Sequence, residues 1–444
     1  MAKDTFKTVI LGAGLAGLSA AYHGGGRVYE KSDVVGGACV SPHIDGFTFD
    51  LGIHVLHTKN QYVLKLLQQD LSLALNQQKR AAWVYSYNTS TRYPFQANTF
   101  GLPIPIVKEC LASFIRVWCK RKDRDNRKFA NYEDWITATF GTGIAEHFMI
   151  PYSQKFWTVS PSEMTTDWMD VRIPVPTLDE VVEGALTDQE KGFGPNATFR
   201  YPSEHGYAAI PKSFVDSGVT VNLNTEAVRI DLANKQVEFS NGMVDKYDAL
   251  ISTIPIPELV RLIDAPYEIV HAAKQLRYNS IMCVNLGIHR DKVSDSHWIY
   301  YPEEKYSFFR ISFLANFGRS MAPKGKSSIS AEIAYSPDHP INKDKIVDTV
   351  IKDLVEAQIL YAQERIELVD LRDIKYAYVI YDHKRNENLS KIKSFFKKYS
   401  VIFAGRYGNW EYQWTDDAIL DGRRAAEETA VFSSLSDGKN RTRR

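Results

Sequence analysis

The chain is poor in several features that would have fixed its class at once. Four cysteines in 444 residues, Cys39, Cys110, Cys119 and Cys283, are too few for a disulfide scaffold, and no two stand at metal-ligand spacing. No run of about twenty apolar residues occurs, so no transmembrane helix is expected. The opening MAKDTFKTVILGAG leads straight into a strand with no signal peptide, which predicts a cytoplasmic setting. Neither sign of charge is in excess. With 54 Lys+Arg against 53 Asp+Glu, a nucleic acid or an anionic membrane is disfavoured as a partner. No internal repeat is visible, and no GxSxG or Cys/His nucleophile motif is found.

What is present is concentrated first at the N-terminus. Thr8 to Leu11 read as a short buried strand, GAGLAGLSAAY as a tight turn opening a helix that ends early at Gly24 to Gly26, and VYEK as a second strand ending in Glu30. Gly12 permits the turn, Gly14 lets the backbone approach a pyrophosphate at the helix N-terminus, and Gly17 lets helix and strand pack closely. Glu30 is placed to take ribose hydroxyls. Gly36 and Gly37 in DVVGGACV add a second glycine pair of the kind found in flavoproteins, so the expected cofactor is FAD.

At 444 residues the chain is too long for one core. The segment from about 102 to 188 is helical in pattern, interrupted by the mixed-charge run KRKDRDNRK, which reads as a solvated face or loop. From Val219 the periodicity changes to short alternating strands with AN and NG turns, closed by the buried strand ALISTIP. SIMCVNLGIHR, WIYYPEE, YSFFRISFLA and SISAEIAYS then read as strands of a second sheet, and VIFAGRYG with the helix DDAILDGRRAAEET closes the cofactor unit. The expected fold is α/β: a discontinuous Rossmann-like FAD-binding domain with an inserted helical domain and a second, mainly antiparallel sheet. The expected boundaries are 1–100, 196–258 and 385–435 for the FAD-binding domain, 101–195 for the helical substrate or lid domain, 259–384 for the sheet domain, and 436–444 for a flexible tail.

The segments GIHVLHT, YPFQANTF, IPYSQKFW, DVRIPVP, FGPNATFRYP, YYPEEKYSFFR and FAGRYGNWEYQW, in this order and at these separations, resemble the UDP-galactopyranose mutase family over nearly the whole chain. GPNATFR and YYPEEKYSFFR look more like its eukaryotic branch, GIHVLHT and YPFQANT more like its bacterial one. The resemblance implies an isomerase: reduced FAD, through N5, attacks the anomeric carbon of a nucleotide sugar, and pyranose and furanose forms interconvert with no net redox. It implies UDP-galactopyranose and UDP-galactofuranose as the default pair, use in cell-surface polysaccharide synthesis, and NAD(P)H or another reductant as the partner that reduces the flavin.

The same resemblance assigns Arg172 and Arg310 to the diphosphate. A guanidinium forks onto phosphate oxygens as a lysine does not. As a strand, YSFFRISF would put Phe309, Ile311 and Phe313 on one face and Phe308, Arg310 and Ser312 on the other, with Arg310 pointing away from a core. Tyr152 matches the residue that stacks on uracil and Trp157 the one lining the sugar end; being five apart, they imply a local turn at the helix end. Tyr378 and Asp382 in AYVIYDH would share one side of a strand and reach the phosphate or sugar. His54 is expected near N5, His57 nearer the substrate, and Asn98 in the same wall. Arg406 is expected near the FAD phosphate and ribose, and Asp417 as a cap for a helix pointing at the flavin. Tyr300 stands where the bacterial pattern carries asparagine and Phe199 where it carries tyrosine, so the hexose contacts are expected to be rearranged. Two rivals stay open: an FAD-dependent oxidoreductase of the amine oxidase, desaturase or protoporphyrinogen oxidase type, and a catalytically silent nucleotide-sugar or FAD-binding protein.

Overall fold

A computed structural model describes residues 6–120, 128–169, 172–194, 197–318 and 320–441. Most of the charge run read as a solvated loop, 121–127, lies outside these residues. The strand Thr8–Leu11 is buried throughout and pairs in parallel with Arg27–Tyr29 on one side and Ala249–Ser252 on the other. Val401–Phe403 and Val221–Asn222 complete a five-stranded parallel sheet. Its strands therefore come from the beginning, middle and end of the chain. The helix Leu15–Gly24 ends where Gly25 takes a positive φ, and it packs against the long helix Thr415–Arg441, where a Cβ on Gly422 would lie 2.2 Å from the Ala16 carbonyl oxygen. That last helix continues to Arg441, past the tail expected from 436, because no proline interrupts its last turns; 442–444 lie outside the described residues.

A three-stranded antiparallel meander (Ala227–Asp231, Gln236–Phe239, Val244–Lys246) hangs from this sheet. The inserted helices are Ile104–Cys119, Tyr132–Ile144, Ile150–Trp157 and Leu178–Leu186. The second sheet has seven strands in the order Ile366–Val379, Tyr278–Ile288, Ser327–Tyr335, Arg310–Ser312, Trp298–Tyr300, Ala82–Ser86, Thr89–Arg92. All its pairings are antiparallel except one: Trp298–Tyr300 runs parallel to Ala82–Ser86. Residues 82–92 thus belong to this sheet, although the sequence reading placed them in the cofactor unit. A parallel pairing between segments so far apart leaves no local trace.

The alternation in SSISAEIAY explains how this sheet serves two environments. Ile329, Ala331 and Ile333 face a core closed by Val350 and Leu354 of the helix Ile346–Glu356. Ser328, Ser330 and Glu332 face the other way, toward the rest of the molecule. The expected grouping on YSFFRISF is corrected in the same terms. Regular strand begins only at Arg310, so Phe308 packs with Ile311 and Phe313, while Phe309 lies in the other cluster beside Tyr152 and Phe156.

Candidate active site

At the N-terminal turn, Gly12 has φ +95°, and a Cβ on Gly17 would lie 2.0 Å from the Gly12 carbonyl oxygen, so neither position accepts a larger residue. Nothing lies within 4 Å of where a Gly14 Cβ would be, which leaves open space in front of the helix. Gly14 caps that helix with no side-chain hydrogen bond, and its first turn has no acidic residue. The free N–H groups and the dipole suit a pyrophosphate. The Glu30 carboxylate sits at the end of its strand, accepting from the Ala13 N–H at 2.9 Å and from the Ser32 N–H at 3.0 Å. Gly14 and Gly36 bridge the two glycine segments, and both Gly36 and Gly37 have positive φ. These residues fit the dinucleotide part of FAD.

Beyond this turn the two sheets and the helical insert enclose a cavity of about 280 Å³. His54, His57, Tyr152, Trp157, Arg172, Arg310, Tyr378 and Arg406 all line it, drawn from widely separated segments. Gly52 has φ +67°, and the chain from Gly52 to His57 is pinned where Leu56 and Arg200 exchange backbone hydrogen bonds of 3.0 and 2.6 Å. Burial and the nearby Arg406 push the His54 imidazole down to about 4, so it stays neutral. Burial also lowers His57, neither of whose ring nitrogens has a partner. Neutral imidazoles here offer hydrogen-bonding atoms without adding charge.

The helix Ile150–Trp157 follows a π-helical turn, Ala145–Met149, and ends as Thr158 takes a left-handed conformation. Phe148, Tyr152 and Phe156 succeed one another at four-residue spacing with nearly parallel rings, 5.3 and 6.0 Å between centroids. Phe95 extends this ladder, 4.9 Å from Phe148. Trp157, the last helical residue, turns toward Tyr378 and Tyr412. The helix is tied to the sheet by the buried amide of Asn279, which donates to the Phe156 carbonyl at 2.6 Å and accepts from the Tyr378 N–H at 2.9 Å.

The arginines differ in what they already hold. Arg406 donates through Nε and Nη2 to the Gln413 carbonyl, and its guanidinium lies 5.4 Å from the rings of Tyr378 and Tyr412. Arg172 donates to the carbonyls of Trp168 and Tyr412 at 3.1 and 2.7 Å, lies 3.5 Å from the Asp417 carboxylate and leaves Nε without a partner. Arg310 is gripped side-on by Glu332, Nε to Oε1 at 2.8 Å and Nη2 to Oε2 at 2.6 Å, with both groups buried. Arg310 therefore points into the interior, where the sequence reading only required that it point away from one core.

Two expected site residues, Asp382 and Asn98, lie outside the cavity lining. The strand bearing Tyr378 ends at Val379, and Asp382 turns out of line to accept from the Lys384 N–H at 2.9 Å, outside the cavity lining. Asn98 is folded onto its own loop, donating to the Pro94 carbonyl at 3.0 Å; its neighbour Gln96 lines the cavity instead. Asp417, in the first turn of the helix Thr415–Arg441, accepts from the Trp414 N–H just before it at 2.9 Å, an N-terminal cap, and lines an adjoining hollow of about 650 Å³ that shares Trp168, Arg172 and Tyr412 with the cavity. Phe199 is packed against His297, Trp298 and Phe317, away from the cavity, whereas Tyr300 lines it. The residues missed from sequence include Gln96, Phe148, Phe156, Glu332 and Tyr412. Gln96 Oε1 is buried with no partner, an acceptor available to a ligand N–H.

Among the described residues no group of His, Cys, Asp and Glu could hold a metal ion, and no helix is long and apolar enough to cross a membrane. The chain matches the flavin containing amine oxidoreductase family over residues 15–430. It is similar to a crystal structure of reduced UDP-galactopyranose mutase, 28% identical, with a TM-score of 0.90 and coverage of 96% of this chain and 94% of that one. A putative protoporphyrinogen oxidase from Exiguobacterium (15% identity, TM-score 0.72, 96% and 99% coverage) and a putrescine oxidase bound to putrescine (15%, 0.66, 96% and 99%) share the fold.

Proposed function

The chain belongs to the flavin containing amine oxidoreductase family and is an FAD-dependent enzyme, and from that premise we propose that it is a mutase interconverting pyranose and furanose forms of a UDP-sugar, by default UDP-galactose. One observation carries this reading: three buried or half-buried guanidiniums, Arg172, Arg310 and Arg406, and a ladder of stacked aromatic rings line the same cavity beside Gly52 and His54. An amine or polyene substrate needs an apolar or anionic cavity, and three guanidiniums oppose a cation directly. A diphosphate meets the arginines and a planar base meets the rings.

When bound and reduced, FAD supplies a nucleophilic nitrogen for the anomeric carbon. The rest of the task falls to the chain. Arg172 and Arg310 hold the diphosphate as it leaves the sugar and keep it in place for its return, so the exchange stays within one complex. Tyr152 and Phe148 fix the base, and Gln96 Oε1 accepts from an imide N–H, which uracil has and cytosine lacks. Trp157, Tyr378 and Tyr412 wall the sugar end with apolar surface and exclude water from the reacting carbon. The family includes oxidoreductases, so the assignment is tested with a panel of substrates. Reduced protein should convert UDP-galactopyranose and leave amines untouched; peroxide formed in proportion to an amine or polyene consumed would replace the mutase with an oxidase.

A further inference from the structure

Among the described residues the cavity lining carries three guanidiniums and one carboxylate, that of Glu332, while Asp417 of the adjoining hollow lies 3.5 Å from Arg172. Glu332 is 1% exposed and faces Arg310 across neighbouring strands, residue opposite residue. Its two oxygens take the Nε and Nη2 edge of Arg310, so Nη1 is the end that the pair does not use. Oε2 also lies 3.2 Å from where a Cβ on Gly52 would be, which puts the carboxylate against the same segment that carries His54. Such a group both fixes the plane of the guanidinium and changes the charge a ligand meets.

We infer that Glu332 is a positioning residue that sets the charge Arg310 presents: it orients that guanidinium and offsets its charge, so that the site takes a diphosphate diester and does not over-bind the free diphosphate. This rests on the reading of the enzyme as a UDP-sugar mutase. Arg172 shares its charge with Asp417 at 3.5 Å, so the positive charge that Arg310 shows a ligand is governed by Glu332. A UDP-sugar carries two negative charges, and UDP released from the sugar carries up to three. In a mutase the diphosphate must part from the sugar and then attack it again, so a site that holds the free diphosphate too well slows the return. Without Glu332, Arg310 would present its full positive charge and favour UDP over the UDP-sugar.

The test uses the flavin-loaded protein, with UDP binding followed by calorimetry and turnover measured on the reduced enzyme. Glu332→Gln should bind UDP about tenfold tighter or more, with a smaller gain for UDP-galactose and a fall in kcat. Glu332→Asp keeps the charge but draws the fork back, so UDP affinity should stay within about twofold of the wild type while kcat falls. Equal or weaker UDP binding by a flavin-loaded Glu332→Gln protein overturns the inference. Should that variant not fold, tighter UDP binding by Glu332→Asp overturns it equally. Wild-type protein that binds neither UDP nor UDP-galactose refutes the mutase reading itself, and the inference with it.

Discussion

Removing the Arg310 side chain separates what the buried pair does for the fold from what it does for a ligand. Glu332 is 1% exposed and accepts two hydrogen bonds, of 2.8 and 2.6 Å, from a guanidinium whose side chain is 10% exposed. Arg310→Ala leaves that carboxylate buried without a counter-ion, a loss of about 3–5 kcal/mol of stability. For a chain of this length that corresponds to a fall of roughly 3–5 °C in melting temperature. Arg310→Met/Glu332→Leu removes both charges and fills the space, so most of the stability should return. Turnover should not return in either variant. A positioned guanidinium on a developing diphosphate contributes on the order of a hundredfold or more in rate, and methionine replaces none of it. The assays are thermal unfolding with flavin content measured, and conversion of UDP-galactose by reduced protein. Wild-type stability in Arg310→Ala would contradict the buried pair, and appreciable turnover in the double variant would remove Arg310 from the site.

Tyr152→Ala should weaken UDP binding by roughly ten- to a hundredfold with flavin content unchanged, as loss of a base-stacking ring requires; an unchanged Kd would place the base elsewhere. Gln96→Leu should cost about tenfold or more in affinity for uridine nucleotides and erase any preference over cytidine ones, read by parallel titrations. Asp382→Asn should alter kcat and KM by less than about twofold, since this side chain caps a turn outside the cavity, and a large loss would restore it to the site. Acid should destabilise the fold through His54 and His297, both held at about 4 by burial. Their contribution is complete above the unfolded value of about 6.5 and is lost as pH falls toward 4, because the unfolded chain then binds protons the native state refuses. Melting temperature against pH should flatten over that window in His54→Asn, and an unchanged slope would show that His54 is not buried neutral.

Local signals carried the reading of the cofactor unit. A buried strand, a glycine turn and a helix over Thr8–Gly24 are fixed by neighbours in sequence, and the alternation of Ser327–Tyr335 marked its strand. Long-range partners were not legible. Glu332 lies 22 residues from Arg310 and pairs with it only because adjacent strands bring them opposite, and residues 82–92 join the second sheet through a pairing with Trp298–Tyr300. Where a strand stops also decides what it presents. Ending at Val379 keeps Tyr378 in the cavity and turns Asp382 away, and the fold of the loop after Pro94 exposes Gln96 to the cavity while Asn98 serves the loop. Each of these choices is made by tertiary packing, which single-residue pattern does not encode.

Use of the flavin without net redox on a nucleotide sugar is decided by measuring UDP-galactose isomerisation on the same preparation before and after dithionite reduction. The expected result is no turnover in the oxidised protein, sustained turnover after reduction with far more product than reductant consumed, and slow loss of activity in air. Full activity of the oxidised protein, or one equivalent of reductant spent for each product formed, would contradict it.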